Sequence, residues 1–596
     1  MRLDGKPYPW YSDLVGRFAF PARGDLAGFM LHIDAVQPDP FAPPSRVRVR
    51  LTPRAAGLPE HLWSSPARRI GLGAWLARRF ALTARARAQY RGGGRVGASG
   101  GPSGAILMAL PGQQVLPQTA VFVGEDGGIE ARFTVALPDE ARRVAGRRAE
   151  ALLLEDVPAI VDAALRGANA DLDAAWQAAA TNEDAEALRA AVVARGLVAF
   201  IADGSILPRR SGADDRPLQE GAVPFEAPEA LSVSLDAPHA GPLRGMAVPA
   251  GVTLIVGGAF HGKSTLLRTI ALGVYNHRPG DGRERCVTVP DAVSVRAEDG
   301  RAVAGVDIAA FIGALPGGGD THRFTTPNAS GATSQAAAIV EAIEMGATAL
   351  LVDEDTAATN FMIRDRRMQA LVPDDLEPVT PFVDRVRELH RELGVSCVLV
   401  AGGSGDYLDV ADTVIAMRHW IPTDATAEAE EVARALPTGR ANEAAGPLAA
   451  PSPRHPLADS MDARRGRHPR SARVRGRAAI ELGSQTIDIA TLSQIVSTPQ
   501  ARAIAEALAV IATGEHEKRP TVRELVDDVA ARVAARGLDE LDERLTGELA
   551  GFRRHELAAA LNRLRSLAID DGSARAERRE ERETDDEAVE PVDAET

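Results

Sequence analysis

Lysine is almost missing from this chain. Of 68 basic residues among 596, only Lys6, Lys263 and Lys518 are lysines, leaving 65 arginines. Cysteine is as scarce: Cys286 and Cys397 stand far apart and outside any CxxC spacing. That excludes a disulfide framework and a cysteine-built zinc site and marks both as buried small apolar residues. No run approaches the ~18 consecutive apolar residues of a membrane span, and Met1-Arg2-Leu3-Asp4-Gly5-Lys6-Pro7 lacks the apolar stretch of a secretory signal. The expectation is a cytoplasmic protein without a membrane role. A net charge of −14 excludes a uniformly basic nucleic-acid binder, although local bias remains. What is present is the ordinary balance of a globular protein, 45% hydrophobic and 25% charged, long enough for about three to five folding units.

One of the three lysines sits in a glycine-rich loop. The apolar run Val252–Val256 leads into Gly257-Gly258-Ala259-Phe260-His261-Gly262-Lys263-Ser264-Thr265, followed by Leu266-Leu267-Arg268. This is G-x-x-x-x-G-K-S between a predicted strand and a predicted helix, the context that makes the pattern specific for nucleotide phosphates. Glycines let successive N–H groups converge on a phosphate, and the helix N-terminus adds partial positive charge. Lys263 is placed to neutralise β- and γ-phosphates and Ser264 to ligate Mg²⁺. About ninety residues on, Ala349-Leu350-Leu351-Val352-Asp353-Glu354 reads as a buried strand ending in adjacent carboxylates. Asp353 would hold Mg²⁺, and Glu354 would orient and polarise an attacking water. Between them, Asn328-Ala329-Ser330-Gly331-Ala332-Thr333-Ser334-Gln335 opens a helix with a hydroxyl and free N–H groups suited to a γ-phosphate. A plain helix cap is the competing reading of that stretch.

The order of phosphate loop, Ser-Gly helix start and Asp-Glu strand end resembles ATP-binding-cassette (ABC) ATPases. Gly273–Glu284, Arg296–Arg301, Asp353–Asp365, Gly402–Tyr407, and the shorter Gln37–Ser45, Pro111–Leu116 and Ala560–Arg565 narrow the likeness. The chain is similar in these to the predicted ATPases of the ABC class, non-transporter cassettes with their own flanking domains. The resemblance covers about 1–425 and 480–568. It implies an α/β P-loop NTPase of ABC type with an α+β N-terminal domain and a small, mostly helical C-terminal domain. It also implies that Ser330, Gly331, Ser334 and Gln335 form a signature facing the phosphate loop of a second copy, closing an ATP-dependent homodimer. Asn360 falls in the D-loop slot. The switch-histidine slot falls at Gly402, with Ser404 and Asp406 as candidate substitutes. No glutamine lies between Lys263 and Gln335, and Asp307 stands near the Q-loop position. Both departures point to slow hydrolysis with nucleotide binding intact. Phe225 lies where an aromatic often stacks on adenine, although a core position suits it better. His261 is expected to face solvent.

The organisation follows: an N-terminal domain 1–223, an ATPase domain 224–426, an Arg/Pro/Ala-rich linker 427–479, a helical domain 480–568 and an acidic tail 569–596 expected to be disordered. Strands are expected at Arg46–Leu51, Ile106–Leu110, Ala120–Gly124 and Glu130–Leu137, and helices at Asp139–Arg166 and Asp171–Arg195. Gly92–Gly104 reads as a flexible hairpin or backbone-binding loop rather than a second phosphate site. The linker carries Arg464, Arg465, Arg467, Arg470, Arg473, Arg475 and Arg477 with no acid after Asp462. Such a run is an electrostatic footprint for single-stranded RNA or DNA, or else a solvated linker, or one held by the acidic tail. No aromatics interleave, so base-specific readout is not expected. The sequence reads as a Mg²⁺-dependent ATPase gating contact with nucleic acid, RNA ahead of DNA. The alternative is a slow ATP-sensing scaffold for a protein partner. A P-loop kinase would leave the Ser-Gly and Asp-Glu pairs unexplained.

Overall fold

The computed structural model describes residues 2–24, 26–90, 103–315, 318–514 and 519–570. Most of the glycine-rich loop 92–104, Lys518 and nearly all of the acidic tail lie outside the described residues.

The first unit is an antiparallel sheet under a long helix. Its strands are β1 (Gly16–Phe20), β2 (Phe29–Ala35), β3 (Ser45–Leu51), β4 (Ala105–Leu107), β5 (Val121–Val123) and β6 (Ile129–Ala136). They run in the order β1-β2-β3-β6-β4, with β5 also on β6. Alternation decides the faces: Val47, Val49 and Leu51 are buried, whereas Arg48 turns to Asp34 and Glu130. Helix α1 (Pro66–Tyr90) covers the apolar face with Leu72, Leu76 and Phe80. The stretch expected as one helix from Asp139 begins instead as a hairpin, Asp139–Glu140 with Arg143–Val144. Tertiary pairing overrides helical spacing there: the Val144 carbonyl accepts the Gly5 N–H and its N–H donates to the Lys6 carbonyl, and the Tyr8 and Tyr11 hydroxyls donate to the carbonyls of Leu137 and Pro138. The chain is helical from Gly146 to Leu165, with a π turn at Leu152–Asp156. Helix α2 (Leu172–Ala194) is capped by Asp171, whose carboxylate accepts the Ala174 N–H.

The middle unit holds two sheets. Strands β7 (Leu197–Ala202), β8 (Ser232–Ala237), β9 (Gly241–Pro249) and β11 (Cys286–Thr288) form one, in the order β8-β9-β7-β11. Because β7 is central to it, residues from 197 belong with this unit, and a boundary at 223 cuts through the sheet. The second sheet consists of β10 (Val252–Gly257), β12 (Ala292–Val295), β13 (Ala349–Asp353), β14 (Ser396–Val400), β15 (Thr413–Arg418) and β16 (Ile421–Asp424). Its order is β12-β13-β14-β10-β15-β16, parallel except for β16. The apolar runs read from the sequence at Val252–Val256 and before Asp353 are two of its five parallel strands. Their burial on both faces explains why they read as continuous rather than alternating. Helices α3 (Lys263–Leu272), α4 (Gly331–Glu344) and α5 (Phe382–Leu393) pack on it. Cys286 and Cys397 are free and buried, and burial pushes the Cys286 thiol up to about 11.

The segment expected as a linker is folded. After α6 (Thr426–Ala435), Arg454, Met461 and Ala463 are buried. Strand β17 (Ala472–Arg475) then pairs with β18 (Ala479–Leu482), and β18 with β19 (Gln485–Asp488). Arginine-rich composition suggested solvation, but Val474 and Ala472 alternate with Arg473 and Arg475, so one face of β17 packs on the last unit. Helices α7 (Thr498–Thr513), α8 (Val522–Arg536) and α9 (Arg554–Leu561) complete that unit, which is helical with a three-stranded sheet. Among the described residues, no helix is long and apolar enough to cross a membrane.

Candidate functional site

The C-terminal edge of the parallel sheet gathers the motif residues. β10 delivers Gly257, whose φ of +138° and contact with the Met417 carbonyl (2.4 Å from an added Cβ) leave room only for glycine. Gly262, at φ +100°, is the N-cap of α3 and offers no side-chain cap. The first N–H groups of that helix are therefore open to an anion at its mouth. Lys263 Nζ lies over the loop, donating to the carbonyls of Gly257 at 2.6 Å and Gly258 at 3.0 Å. Gly258, Ala259, Phe260 and Ser264 are exposed, and His261 and Thr265 half-buried. His261 does not simply face solvent, because its ring lies 4.9 Å from that of His419.

The strand register brings the acids to the same edge. Asp353 pairs with Val400 across β13 and β14, so Glu354 emerges beside the loop after β14. The Glu354 Oε2 accepts the backbone N–H of Gly402 and that of Gly403, the latter at 3.2 Å. An added Cβ on Gly402 would stand 3.8 Å from Oε2 of Glu354 and 4.0 Å from Nζ of Lys263. Catalytic base candidate, switch-slot glycine and phosphate-loop lysine thus share one small space. In sequence the glycine at 402 reads as a missing histidine. In the structure it is a pair of amide donors that orients the carboxylate. Of the candidate substitutes, Ser404 has a buried hydroxyl with no partner, and Asp406 is half-buried near Arg440; neither is brought onto Glu354.

Asp353 caps the turn after β13 through Oδ1, which accepts the Asp355 N–H at 3.2 Å. Its second carboxylate oxygen and the exposed Ser264 hydroxyl are hard oxygen donors of the kind Mg²⁺ prefers, so the residues present fit that ion.

The signature residues divide. Ser330 caps α4 and is exposed, with Gly331 beside Asp299 and Ala358 rather than beside Lys263. Ser334 is buried, donating to the Gly331 carbonyl and accepting the Glu298 N–H, both at 2.8 Å. Gln335 is buried too, accepting the Ala358 N–H at 2.8 Å. Their polar groups are used inside the chain, whereas Ser330 is exposed and Gly331 half-buried at the start of α4. Asn360, on the one-turn helix Thr359–Met362, is exposed nearby.

One position differs from the sequence reading. Asp307 lies off the parallel sheet, accepting the Ala309 N–H and facing His322 at 3.3 Å. The loop that leaves the sheet beside Asp353 is instead 296–300, because Val295 pairs with Val352. The half-buried Glu298 in that loop is ion-paired with Arg563 of the last unit. Burial alone would raise its carboxyl, but the Arg563 guanidinium holds it below the usual range. Phe225 is buried in the core beside Leu207 and Ala227, so its ring is not open to a base.

The arginine run lies on the surface of the last unit. Arg464 pairs with Asp462, Arg465 and Arg475 with Glu481, and Arg470 with the buried Glu506. Arg477 donates to the Val496 carbonyl at 3.4 Å, and Arg467 and Arg473 are exposed.

Three family models match in succession: an ATPase of the ABC class N-terminal model over 1–168, a P-loop domain over 171–454, and the MRB1590 C-terminal domain over 471–570. The chain belongs to the ATPases of the ABC class. The match from 171 agrees with the place of β7 in the middle unit. This ABC-class ATPase is also similar to the uncharacterized protein MJ1628 of Methanocaldococcus jannaschii, at 29% identity over 222 residues. That match covers 36% of this chain, which spans about half (48%) of the relative's length. Among solved structures, cbiO1 from Clostridium perfringens, described as part of the ABC transporter complex cbiONQ, aligns at 15% identity. It covers 41% of this chain and 96% of its own, with a TM-score of 0.24.

Proposed function

We propose that this ABC-class ATPase binds ATP with Mg²⁺ and hydrolyses it at a seam between two copies, and that the cycle gates contact with nucleic acid, RNA ahead of DNA. The observation that carries the reading is Glu354, held by two amides of the switch slot within reach of Lys263. Mg²⁺, held by Ser264 and Asp353, would neutralise phosphate charge. Lys263 and the open N–H groups of α3 bind the phosphates and favour charge developing there. Glu354 accepts the proton of the attacking water, its direction fixed by the Gly402 and Gly403 amides. Ser330 is exposed, and Gly331 lies against Asp299 and Ala358 rather than against the phosphate loop of its own chain, which supports their serving a second copy.

Complementation tests the seam. Lys263→Ala and Ser330→Arg chains should each be inactive alone, and mixing them should restore about a quarter of wild-type turnover, because half of random dimers are mixed and each carries one intact seam. No recovery, with mixed dimers shown to form, removes the shared site.

Support for the nucleic-acid part is narrower than the sequence suggested, since four of the seven arginines are ion-paired and leave Arg467, Arg473 and Arg477 as the freer charges. Single-stranded RNA should raise turnover at low salt and lose that effect as salt rises. Arg467→Glu with Arg473→Glu should abolish the stimulation without changing basal turnover. Turnover indifferent to RNA and DNA at low salt favours the alternative, an ATP-sensing scaffold with little hydrolysis.

A further inference from the structure

Six non-glycine residues among those described have a left-handed backbone, and three of them surround the phosphate loop: Phe260 at φ +63°, His419 at +50° and Trp420 at +67°. Bulky residues enter that region at a cost and hold it only where the surroundings impose it, a pattern that gathers at ligand clamps. His419 and Trp420 are the two-residue turn between β15 and β16, which needs positive φ at both positions and ordinarily takes Asn-Gly. Here the turn carries an imidazole and an indole. The His419 ring lies against His261 at 4.9 Å, which ties the turn to the loop. The Trp420 Cδ1 stands 3.3 Å from where a Cβ on Gly262 would be, so the indole abuts the residue preceding Lys263. Yet Trp420 remains 55% exposed. An apolar ring left open to water beside a phosphate cradle, on a strained turn, is arranged for a flat partner. The aromatic upstream of the loop, Phe225, is buried and cannot serve.

We infer that Trp420 is the platform on which the base of the bound nucleotide stacks, with the His261–His419 pair positioning the turn. This rests on the nucleotide reading above and deepens it. Every base has a π-face, and base–aromatic stacking contributes enough that loss of the ring costs roughly tenfold in affinity. The platform favours a base over none and discriminates weakly among bases.

The test compares MgATP with Mg-tripolyphosphate, which has the phosphates and no base, on the full-length protein by calorimetry. Trp420→Ala should weaken ATP about tenfold and leave tripolyphosphate within twofold. Trp420→Phe should recover most of the ATP affinity. Tryptophan fluorescence should be quenched by ATP but not by tripolyphosphate, and the quench should vanish in Trp420→Phe. Unchanged ATP affinity in Trp420→Ala overturns the inference. So does equal weakening of both ligands, which would make the indole a prop for Gly262 or a contact to a second copy. Wild-type protein that binds tripolyphosphate as tightly as ATP removes the platform but keeps the phosphate loop. Wild-type protein that binds neither removes the nucleotide site itself, and the platform with it.

Discussion

Glu354→Gln is expected to lower steady-state ATP turnover by at least about 100-fold while nucleotide binding persists, and to leave a dimer that ATP closes and hydrolysis no longer opens. The amide oxygen can still accept the Gly402 and Gly403 N–H groups that now orient the carboxylate. Geometry is therefore kept, and only the ability to take a proton is removed; general-base catalysis is worth on the order of 10²–10⁴. Phosphate release measures the first effect, and mass determination with and without ATP the second. The companion variant is Gly402→Ala. Its methyl would meet Glu354 and Lys263 at ordinary contact distances of 3.8 and 4.0 Å, and its N–H is retained. Near wild-type turnover in Gly402→Ala, beside collapse in Glu354→Gln, shows that the switch slot works through backbone amides. Unchanged turnover in Glu354→Gln would remove Glu354 from the mechanism.

The largest stability effect is expected at Arg454, within the segment that composition marks as a linker. Its guanidinium is 5% exposed and bonds Glu344 at the end of α4 at 2.5 and 3.0 Å. It also bonds the Ala304 carbonyl and Asn562 Oδ1, both at 2.9 Å. One side chain thus joins the signature helix to the last unit. Arg454→Ala leaves the Glu344 carboxylate buried without its cation, a change that costs about 3–5 kcal/mol. Urea denaturation followed by circular dichroism should show the middle-to-last-unit transition at lower denaturant, and hydrogen exchange in α4 and α9 should accelerate. The double variant Arg454→Met with Glu344→Leu should regain much of the loss, because the unpaired charge is gone. If the double variant is no more stable than Arg454→Ala, the pairing is not what holds the joint.

The phosphate loop was legible because its chemistry is local. Glycines at 257 and 262, a strand before them and a helix after leave little choice of backbone, and the same lysine must follow. The parallel sheet was legible for a related reason, since strands buried on both faces spell out apolar runs. Asp353 and Glu354 could be found at a strand end, and Ser330 as a helix cap. None of this needs distant partners.

What sequence could not show depends on partners far along the chain. Gly402 reads as a lost histidine until parallel register places its amide on Glu354, some fifty residues earlier. Trp420 and His419 carry no motif, and only the pairing of β15 beside β10 brings their turn onto Gly262. The arginine run reads as a nucleic-acid footprint, a solvated linker or one held by the acidic tail, but Glu506 accepts Arg470 from 36 residues on once α7 has packed, and Glu481 accepts Arg465 and Arg475 once β18 pairs with β17. Local backbone geometry and burial are written in neighbouring residues. Charge pairing and site completion are decided by contacts across long separations, where one residue's meaning is set by the group that folding places against it.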